Sequence, residues 1–513
     1  MAGEPGLKTG GVKERLAGAS VLLTGGSGFL GKAVLAALLE HGEDLKQLTV
    51  LLRAEDGGAA QRRLTREVLE NEAFSSVAKA SIREKIDSGR LRGVAGDLEA
   101  DDLAERAGDG LGGIDIVIHC AASVSFEEAL DDAVGVNVLG PARLFDGLSA
   151  AGSTPHFIHV STAYAGDCHQ ATVREDDVRH GGLASLDPDQ MLTVSGEWRE
   201  QAEQESRHAK QEKELRRAAE RDVAHHRAND ALARAEELRQ RWVHQRLARE
   251  GRRYAIAAGW PDTYALTKAA AERLLAERSP RTTIVRPSII ESALRTPHPG
   301  WLEGLKVADP LILAYAARGL THLPGKAQNR IDIVPVDLVA NACVAAAAYP
   351  PSEALRTVAI TSTAENPLTL GELAEHARAH FGPEPLHTRD GTAIKIGDLK
   401  FVDRRSALRH TIRRERLLGI AADAVAFSPL PVSTEKALRR NRALAARVTR
   451  MVKIYGPYTE LNCTFDNHNA DTLARTLTPG DRAALPFDAA GFDWTEYLQG
   501  IHLPRVHRMA EQG

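Results

Sequence analysis

Cysteine is scarce in this chain, and the few cysteines lie far apart. Four are spread over 513 residues, and no two of them form a Cys-x-x-Cys pair. Disulfide frameworks and cysteine-based zinc sites need paired thiols at short spacing, so the sequence argues against both. We therefore expect reduced thiols, no resident metal ion and a cytoplasmic location.

Long apolar runs and a large excess of one charge are also lacking. The run nearest to the roughly 20 residues that span a bilayer, LVANACVAAAAYP at 338–350, predicts a buried helix instead. The N-terminal MAGEPGLKTGGVKERL has no apolar core of the kind that signal peptides carry. A formal net charge of -4 gives no indication of nucleic-acid binding. These absences predict a soluble protein that could still rest on a membrane surface.

The composition and the order of the apolar runs predict an α/β fold. The chain is long enough for two or more domains, and 43% of its residues are hydrophobic. Short apolar runs that alternate with helical segments are typical of a Rossmann-type, doubly wound parallel sheet. Six runs predict its strands: SVLLT at 20–24, QLTVLLR at 47–53, RLRGVAGDL at 90–98, IDIVIHCAAS at 114–123, HFIHVSTAY at 156–164 and TTIVRPSII at 282–290.

A glycine-rich turn, TGGSGFLG at 24–31, joins the first strand to a helix predicted at about 29–40. Its glycines Gly25, Gly28 and Gly31 are spaced three apart. Glycines in such a turn permit positive φ, close approach of a diphosphate and close packing of helix on strand. The free N–H groups and positive dipole end of the helix then face the phosphates. The turn predicts a dinucleotide site that includes its other residues Thr24, Ser27, Phe29 and Leu30.

Two cations near this turn predict NADP(H) as the cofactor. Arg53 ends the second strand, where NAD-specific folds carry an Asp or Glu for the ribose 2′-OH. Lys32 directly follows the third glycine. Two cations suit a 2′-phosphate, although Arg53 as a merely solvated strand end is the alternative. After the third strand, Asp97 is placed to hydrogen-bond the adenine.

A helix predicted at 262–275, DTYALTKAAAERLL, carries a tyrosine and a lysine on one face. Tyr264 and Lys268 are four residues apart, and none of the other seven tyrosines has this spacing. A lysine charge lowers the pKa of a nearby phenol, so that the tyrosine can donate a proton to a carbonyl. The end of the fifth strand offers Ser161 and Thr162 to polarise that carbonyl. We favour Thr162, with Ser161 as the alternative.

Together these motifs resemble the extended short-chain dehydrogenase/reductases, and more narrowly the bacterial alcohol-forming fatty acyl-CoA reductases. The segments that carry the resemblance are TGGSGFLG, AASVSF at 121–126, VSTAY at 160–164, GWPDTYALTK at 259–268, RPSIIESAL at 286–294, PGWLEGLKVADPLILAYA at 299–316 and IDIVPVDLVAN at 331–341. The tail segments YTELNCTFDNHNADTL and FDWTEYLQGIHLPRVHR resemble the C-terminal domain of that family. The likeness runs from about residue 20 to the end of the chain.

The resemblance implies that NADPH reduces a long-chain acyl-CoA, or the acyl-carrier-protein thioester, to an aldehyde and then to a primary alcohol. Tyr264 would donate the proton, and Lys268 would lower the pKa of Tyr264 and bind the nicotinamide ribose. Thr162 or Ser161 would donate a hydrogen bond to the oxyanion. The cofactor residues that it implies are Gly25, Gly28, Gly31, Arg53, Asp97, Leu98, Ala121, Lys268, Pro287 and Ser288. It also implies a reductase domain over 1–375 and a smaller, mainly helical domain over 376–513.

Three regions lie outside this common core. Residues 196–252 are highly charged and predict one long solvated helix or a helical hairpin, with a lid or a dimer contact as alternatives. Residues 295–325 predict the substrate segment, whose apolar helix at 307–317 either walls an acyl tunnel or packs in the core. Residues 400–453 are basic and predict solvated surface, a CoA phosphate site or a contact with anionic lipid.

Two other function classes stay open on the sequence alone. A different extended reductase, acting only to the aldehyde or on a hydroxysteroid or sugar, would share the core motifs. A non-catalytic NADP-binding scaffold would need neither Tyr264 nor Lys268. Self-association of the chain is likewise open.

Overall fold

The computed structural model describes residues 10–512, except 76, 78, 101, 176–185, 223–227, 279–280, 353–354, 389–390 and 427–431. The strands in this part of the chain are β1 (Ser20–Thr24), β2 (Gln47–Leu52), β3 (Leu91–Ala95), β4 (Ile116–His119), β5 (His156–Val160), β6 (Thr172–Val173), β7 (Thr282–Pro287), β8 (Ile289–Glu291), β9 (His322–Pro324), β10 (Arg330–Ile331), β11 (Ile333–Pro335), β12 (Leu355–Ile360), β13 (Leu368–Thr369), β14 (Lys400–Val402) and β15 (Thr464–Phe465).

The α-helices are α1 (Val12–Leu16), α2 (Phe29–His41), α3 (Gly57–Arg63), α4 (Lys79–Asp87), α5 (Leu103–Ala107), α6 (Leu130–Val134), α7 (Gly140–Ala150), α8 (Pro188–Ser206), α9 (Ala209–Asp222), α10 (Ala228–Ala257), α11 (Thr263–Arg278), α12 (Ala308–Ala316), α13 (Val336–Ala348), α14 (Leu370–Phe381), α15 (Arg404–Ala426), α16 (Val432–Glu460), α17 (His468–Thr476), α18 (Pro479–Ala484) and α19 (Leu503–Gln512). None of the described helices is both long and apolar enough to cross a membrane.

Seven parallel strands form the central sheet in the order β12-β7-β5-β4-β1-β2-β3. The predicted doubly wound sheet is therefore confirmed. The order reverses between β1 and β4, and ligands of open α/β sheets bind beyond the carboxyl ends of strands at such a point. The predicted strand at 282–290 is instead two strands, because Pro287 has no N–H for the ladder and β8 pairs with β11.

Two apolar helices pack together on one face of the sheet. Helix α2 contacts α13, and every residue of α13 is buried. This confirms the buried helix predicted at 338–350. Alanine at six of its positions lets α13 approach the sheet closely, so the run that is nearest to membrane length is core instead.

The charged insertion forms three helices, α8, α9 and α10, and not the single helix or hairpin predicted for 196–252. It also begins earlier and ends later than predicted, at Pro188 and Ala257. Helix α8 packs on α10 and α6, which buries Val243 and Leu247. The periodicity missed this packing because the insertion contributes only Ala202, Val243 and Leu247 to the buried cluster, too few to mark a helix face.

The C-terminal part adds a helical hairpin and a cover for the sheet edge. Helices α15 and α16 pack against each other along their length. Helix α17 lies against the edge strand β12, where Asn469 Nδ2 donates to the Thr357 carbonyl at 2.9 Å. Glu175 accepts from the amide of Ala359 at 2.6 Å. The division at 375/376 stays a prediction, and α14 runs continuously through that point.

Candidate active site

The glycine turn has the backbone that its sequence predicts. Gly25 has a φ of +71°, which side chains rarely tolerate. A Cβ on Gly31 would lie 2.0 Å from the carbonyl oxygen of Gly25, so only glycine lets α2 pack on the turn. Gly28 precedes α2 and supplies no side-chain cap to the first amides of the helix. The turn thus presents uncapped N–H groups that fit a diphosphate.

Beside the turn, side chains tie together the ends of β1 and β4. Thr24 Oγ1 lies 2.9 Å from Nδ1 of His119 and accepts from the Ala121 amide at 3.3 Å. Burial, with a smaller contribution from the Lys268 charge, lowers the pKa of His119 to about 3. The imidazole is therefore neutral, and its contact with Thr24 holds the ends of β1 and β4 together without adding charge to the site.

One cavity of about 1030 Å³ opens at this point of the sheet. Apart from Lys32, the residues that the sequence singles out as catalytic or cofactor-binding line it: Thr24, Gly25, Ser27, Gly28, Phe29, Leu30, Gly31, Arg53, Asp97, Leu98, Ala121, Ser161, Thr162, Tyr264, Lys268, Pro287 and Ser288. Residues that are up to 264 positions apart in the chain thus face one space. Their roles there remain predictions that the cavity makes possible.

The two predicted cations take different positions. Arg53 lies at the cavity wall, 65% exposed, with Asp97 and Glu99 at 3.3 and 3.0 Å. The Lys32 ammonium instead pairs with Glu303 at 2.6 Å and lies outside the cavity lining, so the expectation that it helps Arg53 is wrong. Arg63 on α3 lines the wall and donates to the carbonyl of Arg53 at 2.6 Å. It was missed because nothing in sequence links it to the turn.

The tyrosine and lysine lie on α11, which Asp262 caps by accepting from the Ala265 amide at 2.9 Å. Burial, and secondarily the charge of Asp262, raises the pKa of Tyr264 above its ordinary value. Burial also lowers the pKa of Lys268 to about 8, and its Nζ donates to the carbonyl of Val160 at 2.7 Å. Burial thus favours the neutral form of both side chains and Tyr264 holds its proton, while the lowering of the phenol pKa by the Lys268 charge stays a prediction.

The two candidate hydroxyls differ in their hydrogen bonds. Thr162 Oγ1 accepts from the amide of Tyr164 at 3.4 Å. The buried Ser161 Oγ has no hydrogen-bond partner among the described residues, while the Ser161 amide donates to the Val285 carbonyl at 2.8 Å. The accepted amide leaves the Thr162 hydroxyl hydrogen free to donate, so both hydroxyls stay available to a substrate oxygen.

Helix α16, most of which the sequence marks as a run of charge, forms a wall of this cavity. Tyr458 donates to Asp262 Oδ2 at 2.5 Å, and this contact joins α16 to the cap of the catalytic helix. The ring of Phe126 packs edge-on against Tyr264, Tyr455 and Tyr458 at 5.7, 5.8 and 5.5 Å. The phenol of Tyr264 thus lies in an aromatic enclosure that the C-terminal part completes.

A proline interrupts α16 next to this enclosure. Pro457 has no N–H, so the carbonyl of Lys453 lacks its helical donor. Arg252 of the insertion donates to that carbonyl, and also to the carbonyl of Ile454 at 3.4 Å. The insertion therefore supplies the hydrogen bond that the proline removes, close to Tyr458.

The predicted substrate segment also lines the cavity. Leu305, Lys306, Val307 and Pro310 face it, and α12 closely matches the helix predicted at 307–317. Most of α12 is buried in the core, with Pro310 its residue at the cavity. The helix therefore packs mainly in the core, and its role as the wall of an acyl tunnel stays a prediction.

A buried trio anchors this segment to the C-terminus. Glu291, Asp309 and His502 bring polar atoms within 4.8 Å of one another. His502 Nε2 lies 3.0 Å from Asp309 Oδ1, and its Nδ1 lies 3.0 Å from the hydroxyl of Ser292. Burial, then the charge of Asp309, raises the pKa of Glu291 well above its usual range. The trio therefore links β8 and α12 to the C-terminal part in one buried contact.

Comparisons with known proteins agree with this geometry. A family model described as "Male sterility protein", one of the NAD-binding models, matches residues 23–343, more than half of the chain. The terminal R domain from the myxalamid PKS-NRPS biosynthetic pathway has the same fold, with a TM-score of 0.57 and 17% identity. That match covers 96% of this chain and 91% of the R domain.

Two plant proteins are similar along nearly their whole length. The probable fatty acyl-CoA reductase 5 of Arabidopsis thaliana is 29% identical over 94% of this chain and 96% of its own. The alcohol-forming fatty acyl-CoA reductase of Simmondsia chinensis is 27% identical over 97% and 98%, respectively. The chain therefore belongs to the male sterility protein family, which places it among the fatty acyl-CoA reductases of the extended short-chain dehydrogenase/reductase superfamily.

Proposed function

We propose that the chain is an NADPH-dependent enzyme that reduces a long-chain fatty acyl-CoA to the aldehyde and then to the primary alcohol. One observation carries the proposal: Tyr264, Lys268 and the adjacent hydroxyls of Ser161 and Thr162 line the same cavity as the glycine turn. A proton donor and oxyanion donors thus share one space with a dinucleotide cradle. The relatives from Arabidopsis thaliana and Simmondsia chinensis are named for reduction of fatty acyl-CoA.

The cavity wall favours NADPH over NADH. Arg53 and Arg63 bring two guanidinium groups to the end of β2. The ion pairs of Arg53 are exposed and contribute at most about 1 kcal/mol each, so a 2′-phosphate can replace them. We expect Arg53→Ala and Arg63→Ala each to raise KM for NADPH about tenfold and leave KM for NADH within about twofold. Similar KM values for both cofactors in the native enzyme would refute the preference.

The chain's own groups manage the proton and the oxygen in each reduction. Bound NADPH supplies the hydride. Tyr264, which burial keeps protonated, gives its phenolic proton to the substrate oxygen. Thr162 donates its hydroxyl hydrogen to the same oxygen, and Lys268 stabilises the phenolate that forms. The first reduction makes a thiohemiacetal that expels the CoA thiol, and the resulting aldehyde meets the same groups.

The acyl chain belongs on the apolar side of the cavity. Ile289, Ile290, Leu305 and Val307 supply aliphatic surface there, next to the catalytic residues. Burial of a chain against such surface stabilises binding by about 0.8 kcal/mol per methylene. We therefore expect kcat/KM to rise with acyl length until the chain outgrows this wall.

Stoichiometry tests the proposed function directly. With palmitoyl-CoA, we expect two NADPH oxidised per CoA thiol released, which is reduction to the alcohol. A ratio of one would mean that the enzyme stops at the aldehyde. Oxidation with ketones but not with acyl-CoA would favour the alternative of another extended reductase.

Substitution of the catalytic residues tests the mechanism. Tyr264→Phe should lower kcat about 10²- to 10⁴-fold and leave NADPH affinity unchanged, because only the proton donor is lost. Tyr254→Phe, on α10 and outside the cavity lining, is the matched control. Thr162→Val should reduce kcat far more than Ser161→Ala, and the reverse order would assign the oxyanion role to Ser161.

We also propose that this enzyme works in the cytoplasm and docks on anionic membranes through α15. Ile412, Leu417 and Ile420 are 47%, 55% and 60% exposed on one face of that helix. Exposed arginines flank them: Arg405, Arg409, Arg413 and Arg416. Such a basic, partly apolar helix face suits an anionic lipid surface, into which a fatty alcohol also partitions.

Vesicle binding tests this docking surface. Anionic liposomes should pellet the enzyme at low salt and neutral ones should not. Leu417→Ser with Ile420→Ser should abolish pelleting, whereas Leu232→Ser, 58% exposed on α10, should not. Equal pelleting of all variants would exclude α15 as the contact. Light scattering of the same samples measures self-association, which remains open.

A further inference from the structure

One face of α16 lines the cavity. Its lining residues recur at helical spacing: Arg447, Arg450, Met451, Ile454, Tyr455 and Tyr458. At 1.5 Å per residue this face is about 16 Å long. Tyr455 and Tyr458 mark its inner end, because both pack on Phe126, which packs on Tyr264. The two arginines mark its outer end.

The chemistry along this face changes in a fixed order. At the outer end, Arg447 makes no hydrogen bond or ion pair with any residue that the structure describes. Arg450 is 69% exposed and pairs with Glu127, which also lines the cavity. Next come the thioether of Met451 and the aliphatic Ile454, and then the aromatic rings. Two arginines at the outer end are thus followed by an uncharged stretch and then by the catalytic phenol.

An acyl chain does not fit this order, but a phosphopantetheine arm does. A hydrocarbon laid toward the arginines would desolvate two guanidinium groups without pairing them. A phosphopantetheine thioester has its reacting carbon at one end, an uncharged amide arm in the middle and a phosphate at the far end. Arginine binds phosphate with charge-assisted, often bidentate hydrogen bonds.

We propose that the cavity face of α16 is the phosphopantetheine subsite, with Arg447 and Arg450 holding the phosphate at its outer end. This inference rests on the proposed function and adds where the thioester carrier lies. The phosphate displaces Glu127 from Arg450, and the acyl chain leaves the catalytic residues toward Leu305. The same chemistry serves CoA, whose arm ends in a diphosphate, and an acyl carrier protein, whose arm ends in a phosphoserine.

A series of truncated substrates tests the subsite. The palmitoyl thioesters of pantetheine, 4′-phosphopantetheine, CoA and an acyl carrier protein are compared in the native enzyme and in the variant Arg447→Gln, Arg450→Gln. We expect the variant to raise KM about 10- to 100-fold for every phosphate-bearing carrier that the native enzyme uses. KM for palmitoyl-pantetheine and for free hexadecanal should stay within about twofold, since neither bears a phosphate.

The controls separate the subsite from a general loss of structure. Arg440→Gln changes an exposed arginine of the same helix outside the cavity lining, and should leave all KM values unchanged. An equal rise for palmitoyl-pantetheine, or an unchanged KM for palmitoyl-CoA, would overturn the proposal. An effect with CoA but not with the carrier protein identifies CoA as the source of the phosphate, and the reverse identifies the carrier protein.

Direct binding keeps the subsite testable if the proposed reaction itself fails. By calorimetry, the native enzyme should bind 4′-phosphopantetheine at least about tenfold more tightly than pantetheine, and the double glutamine variant should bind both alike. That result with no turnover of any thioester would refute the proposed reaction and keep the subsite. Equal affinities in the native enzyme would refute the subsite even if palmitoyl-CoA is reduced.

Discussion

The contact between Arg252 and the interrupted part of α16 predicts a measurable energetic coupling. Arg252 donates to the carbonyl of Lys453, which Pro457 deprives of its helical donor. A hydrogen bond from a charged group contributes about 1.5–3 kcal/mol, and part of this is lost to solvent because Arg252 is only half-buried. Arg252→Met keeps the stem but removes the donor, so local opening of α16 should become easier by about 1–2 kcal/mol.

Hydrogen exchange measures this opening without any need for a two-state transition of the whole chain. In Arg252→Met, we expect amides of residues 448–460 to exchange about tenfold faster, since 1.4 kcal/mol corresponds to a factor of ten. Pro457→Ala restores an N–H for the Lys453 carbonyl. In that background, Arg252→Met should change exchange less than about threefold, which is a coupling of roughly 1 kcal/mol.

The matched control is the next residue along α10. Arg253 is 68% exposed and pairs with Glu250, so Arg253→Met should leave exchange in α16 unchanged. Equal acceleration by Arg252→Met with and without Pro457 would show that the two residues act independently. It would also refute the assignment of Arg252 as the substitute donor. An accompanying fall in kcat would link this contact to the placement of Tyr458.

Three further predictions concern the cofactor cradle and the titrating groups. Gly31→Ala should weaken NADPH binding at least about tenfold, because the new Cβ would lie 2.0 Å from the carbonyl oxygen of Gly25. Gly135→Ala, which has open space around it, is the control and should not weaken binding. Equal NADPH affinities of the two variants would show that the glycine turn does not hold the cofactor. Burial lowers the pKa of Lys268 to about 8, so its positive charge is present below that pH and is lost above it. We therefore expect kcat/KM to fall as the pH rises through 8. A flat pH profile would exclude a catalytic role for the Lys268 charge. Burial raises the pKa of Asp262 to about 6, and the hydrogen bond from Tyr458 opposes this rise. Tyr458→Phe removes that hydrogen bond, so the acidic limb of the kcat/KM profile should move to higher pH. An acidic limb at the same pH in the variant would rule out Asp262 as the titrating group.

The sequence predicts the cofactor side of the cavity well, because that side is built from local patterns. Each predicted strand of the sheet appears within a few residues of its expected bounds, and the glycine turn carries its own backbone requirements. Tyr264 and Lys268 share a helix face by spacing alone. Features that depend only on residues within about a dozen positions of each other can be predicted from one sequence without knowledge of the fold.

The missing parts are those that depend on distant partners. Lys32 follows the glycine turn in sequence, but its ammonium meets Glu303, 271 residues away. Helix α16 has a charged composition that indicates surface, and only the fold turns one of its faces toward Tyr264. The role of Arg252 likewise depends on Pro457, which no periodicity connects to it. Tertiary contacts of this kind override local pattern.

The cover over strand β12 has a consequence for how the chain can be divided. An uncovered edge strand presents unpaired amides and carbonyls on which other chains can add strands. In this protein Glu175 accepts from the amide of Ala359, and Asn469 donates to the carbonyl of Thr357, so outward groups of β12 are occupied. Because Asn469 belongs to α17, a truncated chain that stops before this helix would expose an aggregation-prone edge. We therefore expect such a truncation to lower the solubility of the chain.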